Sequence, residues 1–174
     1  MTYARIEPAV LQIELHPYLT QEPLLKLTRA IGMAVTAYSS FGPQSYIEIG
    51  MGKGVPSLLE HDVVKKIAQA NGKSTCLHVI LCSGVTYCPA TAQILLRWAN
   101  QRNVAVIPKS NKLEHVISNL DCENFTISEK DMERLNSLNV NLRVRARQQI
   151  SFPISYPVQL NEISEIEPRA AIFA

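Results

Sequence analysis

Charge is scarce in this 174-residue sequence: Asp, Glu, Lys and Arg make up 18% of it, below the roughly one quarter of an ordinary globular protein. That excludes a disordered acidic or basic tail, or a coiled coil, as a description of the whole. What charge there is nearly cancels. Seventeen Lys and Arg stand against fifteen Asp and Glu, a formal +2, too little to point to nucleic acid or an anionic membrane as the main partner. A run of about 18 uncharged apolar residues is missing as well, which argues against a membrane-spanning helix. The opening MTYARIEPAV has no apolar stretch of the kind a secretory signal needs. Cysteine is sparse too, with Cys76, Cys82 and Cys88 crowded together and Cys122 far away. No disulfide framework is expected from that pattern, and the chain reads as one of a reducing compartment, the cytosol.

Apolar residues are plentiful, at 47%, and the length suits one domain with a sizeable core. Pro8 to Glu14 is short, apolar and rich in β-branched residues, a buried strand ended by His16-Pro17. Glu22 to Ala30 reads as a helix with Leu24, Leu25, Leu27 and Thr28 inward, Pro23 in its first turn and Gly32 closing it. Met33 to Ala37 is a second strand, and Tyr38 to Gly54 a long loop dense in Gly and Ser. Helices follow at His61 to Asn71 and Ala92 to Gln101, a third strand at Val104 to Ile107, and helices at Glu114 to Leu120 and Ser128 to Leu138. Ser128 with Asp131 resembles a capping box. Short apolar strands alternating with helices predict the α/β class with a parallel sheet, its strands covered on both faces.

In such a domain the chemistry sits where strands end. The three ends read QIELHP, AYSSFGPQS and IPKSN. Each has a plain explanation: Gln satisfying backbone, Tyr rimming the core, Lys-Ser solvated at the surface. Together they form a ligand set of an amide, an aromatic face, hydroxyls and a cation beside a helix start, suited to a planar aromatic head and several phosphates.

The strings PAVLQIELHPYL, AYSSFGPQS, LLRWANQR and IPKSN resemble the second half of the aldo-keto reductase family, and within it the fungal D-xylose reductase (aldose reductase) group. The resemblance runs from about residue 4 to 143, interrupted at 76–91. It implies part of a (β/α)8 TIM barrel, about strands 6 to 8 with their helices. It also implies an oxidoreductase that uses NADPH or NADH to reduce an aldose such as D-xylose to its alditol, xylitol. The implied partner is therefore a small aldehyde or aldose. By the same resemblance Gln12 holds the nicotinamide carboxamide and Tyr38 stacks on the nicotinamide ring. Ser39, Phe41, Gln44 and Ser45 line the pyrophosphate and its covering loop, and Glu48 accepts from the adenosine ribose. Lys109, Ser110 and Asn111 surround a 2′-phosphate, and Asn119 touches adenine. His115 stands where the family usually has Arg. A neutral imidazole makes no permanent bidentate clamp on phosphate, so a weaker preference for NADPH over NADH is expected.

The resemblance further implies a catalytic tetrad of Asp, Tyr, Lys and His from the first half of the barrel. Tyr is its general acid, with a pKa lowered by Lys and Asp. None of the four has a counterpart here. His16 belongs to the HPYL string, and Tyr18 and Tyr46 have no matching role, so no turnover is expected from this chain. The alternatives are a non-catalytic nucleotide- or partner-binding fragment, or an inert product of a faulty gene model. Residues 76–91 read as an insertion of translated intron type. Cys76, His78, Cys82 and Cys88 match no standard zinc spacing, so no metal is expected. Residues 144–174, with Arg145, Arg147, Pro153, Pro157 and Pro168, carry no helical period and read as a non-homologous, disordered tail. A barrel slice of this kind would expose apolar sheet and two free edges, and so fold poorly alone.

Overall fold

The computed structural model describes residues 5–50, 54–73 and 89–144. Three parallel strands, β1 (Val10–Glu14), β2 (Ala34–Tyr38) and β3 (Val104–Val106), form one sheet in the order β1-β2-β3. Val10 pairs with Ala34 and Glu14 with Tyr38, and on the other side Val35 pairs with Val104. Parallel neighbours need crossovers, and helices provide them. Helix α1 (Glu22–Ala30) joins β1 to β2. Helices α2 (Gln44–Glu48), α3 (Asp62–Ala70) and α4 (Pro89–Asn100) lie between β2 and β3. Helices α5 (Leu113–Leu120) and α6 (Glu129–Asn136) follow β3.

Local chemistry accounts for the helix ends. Gly32 takes a φ of 69° after α1, and its N–H donates to the Arg29 carbonyl. That is the left-handed exit glycine allows at no steric cost. At α3 the His61 Nδ1 accepts from the Val63 N–H at 3.2 Å. At α6 the Ser128 hydroxyl accepts from the Asp131 N–H at 3.2 Å and donates to the Asp131 carboxylate at 2.9 Å. Half of a capping box is therefore present, and the shorter Asp side chain returns to the hydroxyl instead of the backbone.

Three expectations need correction. The stretch from Tyr38 to Gly54 is not all loop, because Gln44–Glu48 is helical. Pro43, at φ −75°, presets the turn that starts it, and five residues are too few for a visible period. The strands, moreover, are covered along one face, whereas the other is covered only at its Glu14 end. Ile13, Val35, Ala37 and Val104 are buried, whereas Val10, Gln12, Ala34 and Ala105 on the alternate positions are exposed. Apolar residue type on both sides of a strand does not by itself supply a second layer. The fourth helix also starts earlier than expected. Pro89 opens it, where a missing N–H costs nothing, and Ala90 and Thr91 are buried in its first turn.

The core lies between the covered face and α1, α3 and α4. Leu15, Leu25, Val64, Ile67, Ile94, Leu95 and Trp98 are all but fully buried there. Trp98 donates from Nε1 to Asn136 at 2.9 Å, and the Arg102 guanidinium stacks 4.4 Å from its ring centre. Arg102 in turn donates to the Thr20 carbonyl at 2.8 Å and the Glu22 carboxylate at 2.7 Å. Burial pulls its pKa down while Glu22 pushes it back up. The pair ties the end of α4 to the start of α1.

Candidate functional site

The carboxyl ends of β1, β2 and β3 share a cleft of about 330 Å³. Gln12 lines it from β1. Tyr38, Ser39, Ser40, Phe41, Gly42 and Ser45 line it from the end of β2 and the turn after it. Ile107, Pro108 and Lys109 line it from the end of β3. Parallel pairing is what makes the convergence possible, since all three strands deliver their ends to one rim.

The turn after β2 is held in an unusual backbone. Ser39 has a φ of 54° and Gly42 of 62°, and the Gly42 N–H closes the turn on the Ser39 carbonyl at 2.8 Å. A side chain at position 42 would set its Cβ 2.7 Å from Leu58 Cδ1. Glycine is required there twice over, by conformation and by room. The turn consequently packs closely on Leu58 at Gly42, and Ser39, Ser40, Phe41 and Ser45 line the cleft.

Six of the residues singled out from the sequence meet in this cleft: Gln12, Tyr38, Ser39, Phe41, Ser45 and Lys109. The others lie around it or farther off. Gln44 is buried, accepts from the Ser57 hydroxyl at 2.7 Å and donates to Glu48 at 3.1 Å, so it braces the covering segment. Ser110 bridges the Lys112 N–H and carbonyl at 3.2 Å each, shaping the entry to α5, and Asn111 beside it is exposed. His115, half-buried on α5, has its pKa lowered first by burial and then by Lys112, with Glu114 opposing. Its imidazole is therefore neutral in neutral solution. Asn119 is buried on the same helix.

Sequence reasoning passed over Ser40, Gly42, Ile107 and Pro108, which also line the cleft. They lay inside the strings already singled out. Ser40 was hidden because a buried hydroxyl looks like any other serine until its surroundings are known, and its Oγ has no hydrogen-bond partner among the described residues.

A second polar group sits near the site. Glu14 is buried and accepts from His16 Nε2 at 3.1 Å and from the Val144 N–H at 2.7 Å. The carbonyl of Tyr18 accepts from the N–H groups of Val140 and Leu142. The segment from 139 to 144 is thus fastened to the residues following Gln12. Tyr18 packs edge-on to His16 and His61, and its buried hydroxyl has no partner among the described residues. Burial raises its pKa.

Among the described residues no helix is long and apolar enough to cross a membrane, and no three His, Cys, Asp or Glu cluster as metal ligands. Cys76, His78, Cys82 and Cys88, and the tail from Arg145 onward, lie outside the described residues.

Comparison with known proteins gives this cleft its setting. The chain is 48% identical over 145 residues to a probable NAD(P)H-dependent D-xylose reductase of Neosartorya fischeri, covering 82% of this chain and 40% of that protein. It is 46% identical over 142 residues to the NADPH-dependent aldose reductase of Saccharomyces cerevisiae, covering 80% of this chain and 39% of the relative. The NAD(P)H-dependent D-xylose reductase I,II of Candida tropicalis is 44% identical over 142 residues, with 80% and 39% covered. The chain spans about two-fifths of the length of these curated relatives. The model of the aldo/keto reductase family matches residues 1–140, most of the chain, and the chain belongs to that family.

Proposed function

We propose that this chain forms the nicotinamide-nucleotide-binding part of an NAD(P)H-dependent aldose reductase, acting in the cytosol on a small aldose such as D-xylose. Its three parallel strands would be strands 6 to 8 of a (β/α)8 barrel, spanning residues 4–143. Residues 76–91 would be an insertion and 144–174 a segment foreign to the family. One observation carries the reading: an amide, an aromatic ring, hydroxyls and a lysine converge on one cleft at the carboxyl ends of the strands.

Each residue then has a task set by its chemistry. The Gln12 amide has both a donor and an acceptor for a carboxamide. Tyr38 offers a flat face against which a nicotinamide ring can lie, leaving the other side open for hydride transfer, the chemistry the dinucleotide supplies. Ser39, Phe41 and Ser45 contact the pyrophosphate region, with Gln44 holding that segment in place and Glu48 accepting from a ribose. Lys109, Ser110 and Asn111 surround the 2′-phosphate at the start of α5, where backbone N–H groups favour an anion, and Asn119 meets the adenine. His115, neutral, adds no fixed charge, so NADPH and NADH should bind with similar strength. In this reading the proton donor belongs to the first half of the barrel, and the task of these residues is to hold the cofactor.

Fluorescence titration of the 174-residue chain with NADPH and NADH tests the reading. Saturable binding is expected, weakened about tenfold or more in Tyr38→Ala and Lys109→Ala. The absence of binding, or binding indifferent to both substitutions, would overturn it.

A further inference from the structure

The segment beside the cleft carries a short relay of hydrogen bonds. The Ser57 hydroxyl donates to the side-chain oxygen of Gln44 at 2.7 Å, and the Gln44 side-chain nitrogen donates to the Glu48 carboxylate at 3.1 Å. Chemistry fixes the direction. An ionised Glu48 only accepts, so it must face the NH2 group of the amide. The amide oxygen is then left to Ser57, whose hydroxyl must donate. A donor on the amide oxygen polarises the amide and strengthens its N–H bond to the carboxylate.

Burial is uneven along the relay. Gln44 is 4% exposed, Ser57 is half-buried and Glu48 is exposed. A buried amide bonded at both ends has little freedom, whereas an exposed carboxylate left alone turns among many rotamers. Residues three and four apart on a helix are neighbours. Glu48 of α2 therefore stands beside Ser45, which lines the cleft, and one turn on from Gln44, which does not. Ser57 is held from the other side of the chain by Leu58, fully buried against Gly42 of the turn after β2.

We propose that Ser57 and Gln44 are positioning residues for nucleotide choice: they hold the Glu48 carboxylate beside the cleft, where it accepts from the hydroxyls of an unphosphorylated ribose and repels a 2′-phosphate. This rests on the cofactor reading given above. Ser57 is not among the residues that line the cleft, and it acts through Gln44. A carboxylate has about four lone-pair sites. Gln44 occupies one, and the rest can meet two ribose hydroxyls. A 2′-phosphate instead brings charge of the same sign, which a fixed carboxylate opposes. With the relay cut, Glu48 leaves its place, so NADH loses an acceptor and NADPH loses an opponent. The choice between the two nucleotides moves toward NADPH. Lost packing alone would weaken both together.

The test is fluorescence titration of the full 174-residue chain with NADH and with NADPH. Ser57→Ala and Gln44→Met, the second keeping side-chain length without the amide, should each shift the ratio of the two Kd values about fivefold toward NADPH. Ser57→Thr retains the hydroxyl and should keep the native ratio. In a chain carrying Glu48→Ala the ratio should already be shifted, and adding Ser57→Ala should move it no further. Ser57 is only half-buried, so Ser57→Ala should keep the native circular dichroism and carries the test even where Gln44→Met fails to fold. Equal weakening of both nucleotides, a native ratio in Ser57→Ala, or a further shift from Ser57→Ala in the Glu48→Ala chain would overturn the relay and leave the cofactor reading standing. Binding of neither nucleotide by the native chain would overturn both.

Discussion

The two faces of the sheet differ in composition, one wholly apolar and the other bearing Gln12, Glu14, Thr36 and Tyr38, and they differ in burial. On one, Ile13, Val35, Ala37 and Val104 are sealed beneath three helices. On the other, Val10, Gln12, Ala34 and Ala105 face solvent. The covered face carries the stability of the chain, since apolar area removed from water is the dominant favourable contribution to folding. The open face carries the cleft at its strand ends. A one-layer core is enough to fix the strand register, and the register is what brings Gln12, Tyr38 and Lys109 to one rim.

The sharpest way to break this contrast is to remove one large side chain from each face. Trp98→Ala should cost about 3–5 kcal/mol in urea unfolding, because a fully buried ring and its bond to Asn136 are lost. Ile107→Ala, half-exposed on the open side, should cost about 0.5 kcal/mol or less. Equal losses would mean that the open face is covered in solution. Gly42→Ala comes next, at about 1–3 kcal/mol, since the new methyl group meets both a positive φ of 62° and Leu58. Leu58→Ala in the same chain should relieve the contact but not the backbone strain, so the double variant should recover only part of the loss.

On α5, His115→Arg would introduce a permanent charge. It is expected to raise NADPH affinity about tenfold, about 1.4 kcal/mol, while leaving NADH affinity unchanged. An equal gain for both nucleotides would place residue 115 away from any 2′-phosphate. The smallest effect belongs to Tyr18→Phe, which removes a buried hydroxyl that has no partner among the described residues and should be neutral or stabilising by about 1 kcal/mol. It also has a pH signature. Burial raises the Tyr18 pKa, so above the ordinary phenol range the unfolded chain loses its proton first and stability falls as pH rises. That contribution is intact below the unfolded-state pKa and lost as pH climbs through the folded one. Thermal unfolding at alkaline pH should show the decline in the native chain and a shallower one in Tyr18→Phe.

Much of this was readable from residue order. The three strands and most of the helices follow from periodicity and from Gly32, Pro23 and Ser128 at their ends, because those signals are local. The strings around Gln12, Tyr38 and Lys109 marked the strand ends for the same reason. Helix α2 escaped notice because five residues among glycines and serines carry no period. The exposure of Leu113, Val116, Ile117 and Leu120 on α5 escaped because their spacing looks like that of any helix packed on a core. Which side of a periodic helix faces inward is a property of its neighbours.

By itself, then, the sequence determined the α/β alternation and the chemical types gathered at each strand end. Only the tertiary structure decided that the sheet is covered on one face, that six of the singled-out residues share a cleft while Gln44 and Asn119 are buried beside it, and that α5 presents its apolar side outward. The reason is physical. Backbone preferences and side-chain spacing act within a few residues, whereas burial depends on which layers are present to exclude water.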